Sequence, residues 1–233
     1  MEKTVNNFRY ERKFLVNETR YENIEALVKI HPIQFREIYQ PRFVNNIYLD
    51  TFNLDFYYDN IIGTADRKKI RIRWYNNLFG EIKYPILEYK IKMGLVGTKL
   101  SYALAPFSLL KTFKYKDLLK VFSNSNLTQN VIDDLKGLNV VLLNCYHRKY
   151  FQCQDKKYRI TLDRNLRYYD IKNVNNNFIK YFKDKLATII ELKYAVSDDD
   201  YANRISDDLK FRLTKNSKYV NGVDLLKNTN SYQ

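Results

Sequence analysis

Apolar and polar side chains alternate along several separated stretches of this 233-residue chain. In Arg71-Ile72-Arg73-Trp74 the arginines fall on one face of a strand and Ile70, Ile72 and Trp74 on the other, because successive side chains point to opposite sides. Leu87, Tyr89 and Ile91 back Glu88 and Lys90 in the same way, and Ile190, Leu192 and Tyr194 back Glu191 and Lys193. Arg148-Lys149-Tyr150 adds a further charged run. Read singly, each is an ordinary solvated face whose ion pairs contribute little. Spread over most of the chain, they predict a sheet whose cationic faces converge.

The same pattern predicts strands over 8–16, 44–50, 69–75, 87–92, 140–152, 157–163 and 186–195. Asn17 or Thr19 is placed to cap a short helix with Ile24, Leu27 and Val28 on its apolar side. Residues 51–63 read as turn-rich, and Gly94 and Gly97 as a loop that ends in Lys99. The stretch 106–138 reads as helices, with stripes of Leu109, Leu110 and Phe113, then Leu118, Leu119 and Phe122, then Val131, Ile132 and Leu135 before Gly137. Residues 172–185 read as a loop or distorted hairpin. Asp198 to Asp200 cap a last helix that runs to about Leu213, and a polar tail follows.

Strands outnumber helices and show no β-α-β alternation, so the expected class is α+β with a mainly antiparallel sheet. Helices can cover the apolar side of that sheet. A closed antiparallel β-barrel of about eight strands would remove exposed edges and turn the charged side into the lining of a tunnel. With no repeat, long linker or second composition regime, one domain over 1–233 is expected.

Charge sharpens this picture. The net charge of +14, from 40 basic and 26 acidic residues, implies attraction to phosphate-rich partners. A hydrophobic share of 45% supports a packed core. The 21 tyrosines would suit base stacking, though tyrosine is equally a strand residue, and no motif for sequence-specific nucleic-acid binding occurs. Cys145 and Cys153 form no C-x-x-C pair, so reduced thiols and a cytoplasmic location are expected. His31 and His147 are the only histidines, too few for a histidine-rich metal site or a Ser-His-Asp triad. His147 and Cys145 fall on the face opposite Tyr146 and Arg148, where packing is the expected role. No stretch approaches the ~18 apolar residues that would span a bilayer.

Phe8-Arg9-Tyr10-Glu11-Arg12-Lys13-Phe14, Asn46-Ile47-Tyr48-Leu49-Asp50-Thr51 and Arg67-Lys68-Lys69-Ile70-Arg71-Ile72-Arg73 resemble the VTC domain. So do Leu87 to Lys90, Tyr146 to Phe151, Glu191 to Lys193 and Ser217 to Gly222, in the family's order over nearly the whole chain. That domain is the polyphosphate polymerase module of the vacuolar transporter chaperone complex, within the triphosphate tunnel metalloenzymes of the CYTH-like superfamily. The resemblance implies a tunnel-shaped barrel that transfers the γ-phosphate of ATP onto a growing polyphosphate chain, with manganese or magnesium as cofactor. It implies catalytic cations at Lys13, Arg71, Arg73, Lys90 and Arg148. It also implies substrate-binding roles for Lys99, Tyr146, Arg159, Lys193, Lys215, Ser217 and Lys218, the last three on a segment that closes over the tunnel mouth. Glu191 matches the metal-binding glutamate, with Glu11 and Glu88 as candidates to complete the shell. The hydrolytic relatives carry E-x-E-x-K on the first strand; Arg9 stands at the first glutamate position here, which counts against a two-metal triphosphatase.

The chemistry agrees with these residue types. Phosphoryl transfer needs alignment and cations more than covalent help, and a guanidinium forks onto two phosphate oxygens at any working pH. The end of a polyphosphate, pyrophosphate or phosphate acceptor is already ionised, so no histidine base is required. Three other readings remain open at this point: a module that only binds polyphosphate or phosphate, a tunnel triphosphatase, and a generic nucleic-acid binder supported by charge and tyrosine but by no motif.

Overall fold

The structure, a computed structural model, describes residues 9–17, 19–94 and 96–230; Phe8, the expected first residue of the first strand, lies outside them. In chain order the elements are β1 (Arg9–Val16), α1 (Tyr21–Lys29), β2 (Arg36–Asp50), α2 (Asp55–Ile62), β3 (Asp66–Tyr75), β4 (Gly80–Ile82), β5 (Ile86–Met93) and β6 (Val96–Ala103). Then follow β7 (Phe107–Leu109), α3 (Tyr115–Ser123), α4 (Gln129–Lys136), β8 (Asn139–Gln152), β9 (Arg159–Tyr169), β10 (Tyr181–Asp184), β11 (Thr188–Ala195), α5 (Asp199–Leu209) and α6 (Lys218–Asn230).

Nine strands form one antiparallel sheet, in the order β10-β9-β11-β1-β6-β5-β3-β2-β8, and β8 pairs back onto β9. With β10 attached outside, the remaining eight close into a ring. The α+β class, the antiparallel pairing and the closure all agree with the pattern of alternation. One joint is thin: β1 meets β6 only at Arg9 opposite Gly97. Beyond it, on the edge of β1 away from β11, Phe14 bridges Leu213 and the Thr214 N–H donates to the Lys13 carbonyl. Chain that follows α5 therefore fills the seam.

Two apolar layers wrap the ring. Ile70, Ile72, Trp74 and Leu87 pack under Leu118 and Phe122 of α3 and Leu135 of α4, joined by Cys145. Phe14, Ile160, Leu162, Ile190 and Leu192 pack under Ile24 and Val28 of α1 and Ala202, Ile205 and Leu209 of α5. Burying a side chain of this kind contributes roughly 1.5–3 kcal/mol, so these outward apolar rows fix which face of each strand turns inward.

Several expectations need correction. Leu109, Leu110 and Phe113 form no helix; Phe107–Leu109 is β7, paired with β4 in a separate two-stranded sheet. The turn-rich stretch after Asp50 contains α2, whose Phe56 and Tyr57 N–H groups are received by the Asp50 carboxylate. Neither Asn17 nor Thr19 caps α1; Arg20 sits at that position without a side-chain cap bond. Gly97 and Lys99 belong to β6 rather than a loop, and the turn rests on Gly94, whose φ of +58° suits glycine. α5 ends at Leu209, because Lys210 turns left-handed at its C-terminus. The polar tail is in fact α6, and it packs inside the ring, not outside as the other helices do.

Candidate functional site

Pairing register carries the inward side chains into one lumen. Arg71 lies opposite Glu88 and Lys69 opposite Lys90, while Lys90 lies opposite Lys99. On the other side Lys13 lies opposite Glu191, Glu11 opposite Lys193, and Arg148 opposite Asp163. Each inward carboxylate is wrapped by cations from neighbouring strands.

Glu88 is buried and receives Arg71 at 2.7 Å, Lys99 at 2.8 Å and Arg73 at 3.5 Å. Burial opposes its charge, but Arg71, Arg73 and Lys99 hold its pKa well below the ordinary range. Glu11 receives Lys90 at 2.5 Å and Lys193 at 3.4 Å. Glu191 receives Lys193 at 3.0 Å, Lys218 at 3.1 Å, Arg148 at 3.2 Å and Lys13 at 3.8 Å. Burial would raise its pKa; Lys218, Lys193, Arg148 and Lys13 outweigh that and hold it well down.

Arg148 also grips Asp163 through Nε at 2.5 Å and Nη2 at 2.6 Å, so Asp163 acts as a structural counter-charge. Tyr146 lies beneath this cluster, with Lys218 Nζ 4.9 Å and Arg148 Cζ 5.2 Å from its ring centre. Its hydroxyl accepts from Arg73 at 3.3 Å. Burial would raise the phenol pKa, but Arg148, Arg73 and Lys218 bring it below the ordinary value. Asn46, buried on β2, accepts from Arg73 Nε at 2.9 Å and ties that guanidinium to Asn144.

The expected set thus largely converges: Lys13, Arg71, Arg73, Lys90, Lys99, Tyr146, Arg148, Lys193 and Lys218 meet around Glu11, Glu88 and Glu191. Arg159 lies at the same inward register, opposite Lys193 and Gln152. Ser217 reaches the wall, accepting from Lys69, whereas Lys215 is exposed and lies near Lys92. His147 sits outside, edge-on to Phe43 with ring centres 5.3 Å apart, and Cys145 is packed in the outer core.

Lys69 was missed, although Lys69-Ile70-Arg71-Ile72-Arg73 places it on the inward face by simple alternation. Its Nζ donates to Ser217 Oγ at 3.0 Å, and burial with repulsion from Lys13 and Lys90 holds its pKa well below that of a free lysine. A partly desolvated cation among cations is a place for an anion.

Among the described residues no three carboxylate, histidine or cysteine side chains gather as a metal cluster. Glu11 and Glu191 are the nearest approach, since Lys13 and Lys193 each bridge both. Glu88 has partners of its own. A pair of carboxylates fits a divalent ion that takes its other ligands from phosphate oxygens and water. Elsewhere, an open cleft of about 670 Å³ beside Pro32, Gln34, Lys157 and Tyr201 lies outside the ring and gathers no comparable charge.

Eight antiparallel strands closed into a ring, with lysine and arginine on its inner face, make a tunnel fold. The profile of the VTC domain matches residues 8–227, so the chain belongs to the VTC domain family. Among solved structures it is similar to PH1819 from Pyrococcus horikoshii OT3, at 16% identity and a TM-score of 0.50, covering 94% of this chain and 99% of that one. A putative adenylate cyclase from Vibrio parahaemolyticus matches at 12% identity and a TM-score of 0.50, over 89% of this chain and 94% of its own. HpAC1 from Hippeastrum, a putative adenylyl cyclase described as having a dominant triphosphatase activity, matches at 11% identity and a TM-score of 0.50, over 95% of both chains. At these identities the likeness is one of fold. No curated protein sequence matches significantly. No helix among the described residues is long and apolar enough to cross a membrane.

Proposed function

We propose that this protein is a metal-dependent polyphosphate polymerase that transfers the γ-phosphate of ATP to an inorganic phosphate chain. The observation that carries this reading is the surplus of inward cations, with half-buried Lys69 set against Lys13 and Lys90, over Glu11, Glu88, Asp163 and Glu191. Such a lumen repels itself until a polyanion enters.

Arg71 and Arg73 are held by Glu88 and Asn46 in orientations that leave little rotation to lose on binding. They would grip the transferring phosphoryl group, where charge spreads over the equatorial oxygens. Lys13, Lys90 and Lys193 would hold the remaining phosphates as compact point charges. The terminal oxygen of the acceptor attacks the γ-phosphorus, a new P–O–P bond forms, the β–γ bridge breaks, and its electron pair leaves with ADP. Glu11 and Glu191 would hold manganese or magnesium together with phosphate oxygens, and that ion would offset charge on the bridging phosphates. A second reading, a triphosphatase with water as acceptor, is favoured only by the fold likeness to HpAC1.

The test is incubation with ATP and manganese, followed by gel analysis for a phosphate ladder beside an assay for free phosphate. A ladder with stoichiometric ADP is expected. Orthophosphate without a ladder would replace the polymerase with the triphosphatase, and neither product would leave a binding module.

A further inference from the structure

On the outer face of β8 and β9, Cys145 and Tyr169 belong to one apolar layer and Phe151 and Leu162 to the other. Between them the same face carries His147, Lys149, Arg164 and Arg167. Alternation alone would turn Arg167 inward, since it lies three residues beyond Arg164. A bulge prevents this. Arg164 pairs with His147 but Arg167 pairs with Cys145, so three steps of β9 match two of β8, and Asn165 takes up the extra residue with a φ of +53°. Both arginines therefore face outward, and Lys183 of β10 stands opposite Arg167 on that face.

The arginines of the lumen wall, Arg71, Arg73 and Arg148, each meet a carboxylate. Arg164 and Arg167 have no ion pair among the described residues, and tyrosines hold them instead. The Arg164 guanidinium carbon lies 4.0 Å over the ring centre of Tyr21, and Arg167 lies by the Tyr169 hydroxyl. The carboxylates that act on Tyr21 are Glu25, Glu37 and Asp163. Lys29 and Lys149 take Glu25, and Arg148 takes Asp163, which leaves Glu37 against Arg164, Arg167 and Lys183. Burial and the charges of Arg164 and Lys149 hold the His147 pKa below its ordinary value. The Tyr21 hydroxyl, His147 Nδ1, Arg164 Nε and Arg167 Nε are buried atoms without a hydrogen-bond partner. Buried polar atoms are nearly always satisfied, so four such atoms in one strip mark a place for a ligand. His147, Arg164 and Arg167 are themselves only half-buried, so solvent reaches the strip.

We propose that Arg164, Arg167 and His147 form a second anion site, on the outside of the ring, which takes the dianionic phosphate group of inorganic phosphate or of a phosphate monoester. Two guanidinium forks and an imidazole converge from neighbouring strands, which suits a compact group with oxygens on several sides better than a two-oxygen carboxylate. Lys183 adds a point charge at the rim. The site contains no residue of the lumen and does not depend on what the lumen binds.

His147 and His31 are the only histidines, so imidazole NMR of the intact protein tests the site directly. His31 follows the end of α1 remote from Tyr21 and serves as the internal control. Inorganic phosphate added at constant ionic strength should move the His147 resonances saturably and leave those of His31 in place. Lys69→Ala, which weakens the hold of the lumen on anions, should not change that response. Arg164→Gln combined with Arg167→Gln should weaken the apparent affinity at His147 at least about tenfold, with the His31 resonances unmoved as a check on the fold. A His147 response no larger than that to chloride, one lost in Lys69→Ala, or one undiminished in the double variant would overturn the outer site. Phosphatidylcholine vesicles with and without phosphatidic acid then identify the source of the phosphate group. Selective broadening of His147 by the acidic vesicles would assign a lipid headgroup, and a response to free phosphate alone would assign a soluble compound.

Discussion

The ammonium of Lys218, the first residue of α6, lies 2.6 Å from the carboxylate of Asp163 on β9. The same nitrogen reaches Glu191 on β11 at 3.1 Å, so one charge joins the inserted helix to adjacent strands of the ring. All of these side chains are buried. Replacing Lys218 with methionine keeps most of the length and removes the charge, leaving Asp163 with Arg148, while Glu191 keeps Arg148, Lys193 and Lys13. Breaking a buried pair in this way costs about 3–5 kcal/mol. Urea unfolding should report a loss of that order, whereas Lys120→Ala on the exposed side of α3 should leave the midpoint in place.

Lys69 should behave in the opposite sense. It adds repulsion to the empty lumen, through Lys13 and Lys90, and its bonding partner is a neutral serine hydroxyl. Lys69→Ala is expected to leave the Tm of the free protein unchanged or raised, while tripolyphosphate affinity falls at least about tenfold, a loss of about 1.4 kcal/mol. A lower Tm with unchanged affinity would make Lys69 a packing residue.

Binding should depend on pH through Lys90. Burial, partly offset by Glu11 and reinforced by Lys13 and Lys193, holds its pKa down to about 8. An unfolded lysine titrates near 10.4. Between those values the unfolded chain holds a proton that the folded chain has released, so Lys90 makes the free protein more stable as pH rises through that window. Phosphate binding needs the ammonium and should weaken as pH climbs past about 8. Titration of tripolyphosphate from pH 7 to pH 9.5 should show the decline, and Lys90→Arg, which stays charged, should flatten it. An identical decline in that variant would place the titrating group elsewhere.

Glu191→Gln separates metal support from anion grip. The substitution leaves Lys13, Lys193, Lys218 and Arg148 without the carboxylate they share, so metal-free tripolyphosphate should bind more tightly than to the wild type. Metal-dependent turnover should fall, because the Glu11–Glu191 pair has lost a charged oxygen ligand. Normal turnover in manganese would make Glu191 an ion-pair partner only.

Much of this site is legible in the sequence. Alternation is a local property of a strand, and it placed Arg71 and Arg73, Glu88 and Lys90, and Glu191 and Lys193 on common faces, all of which turn inward. The same rule held for His147 and Cys145, which lie on the other side. α6 escaped notice for a physical reason. A helix usually reveals itself by an apolar stripe, but this one packs against the wall through Tyr219, Val223 and the bare backbone of Gly222, and buries the charged Lys218 beside them. The short β7 stands where the spacing predicts a helix, because Leu109, Leu110 and Phe113 fit a helical spacing in too few residues to exclude a strand.

From its residues alone the chain determined an antiparallel α+β sheet with a cationic face and an apolar one, since both follow from side-chain period and from the cost of leaving apolar rows in water. Tertiary structure decided the rest, because every remaining feature joins residues distant along the chain. Which cation meets which carboxylate depends on strand register, and register is set between strands. The weak joint between β1 and β6 could be closed only by chain returning from beyond α5, at Leu213 and Thr214. That return delivers Lys218 to Asp163 and seats α6 in the ring, where the close approach of Gly222 to Leu142 and Tyr168 has no signature in local sequence.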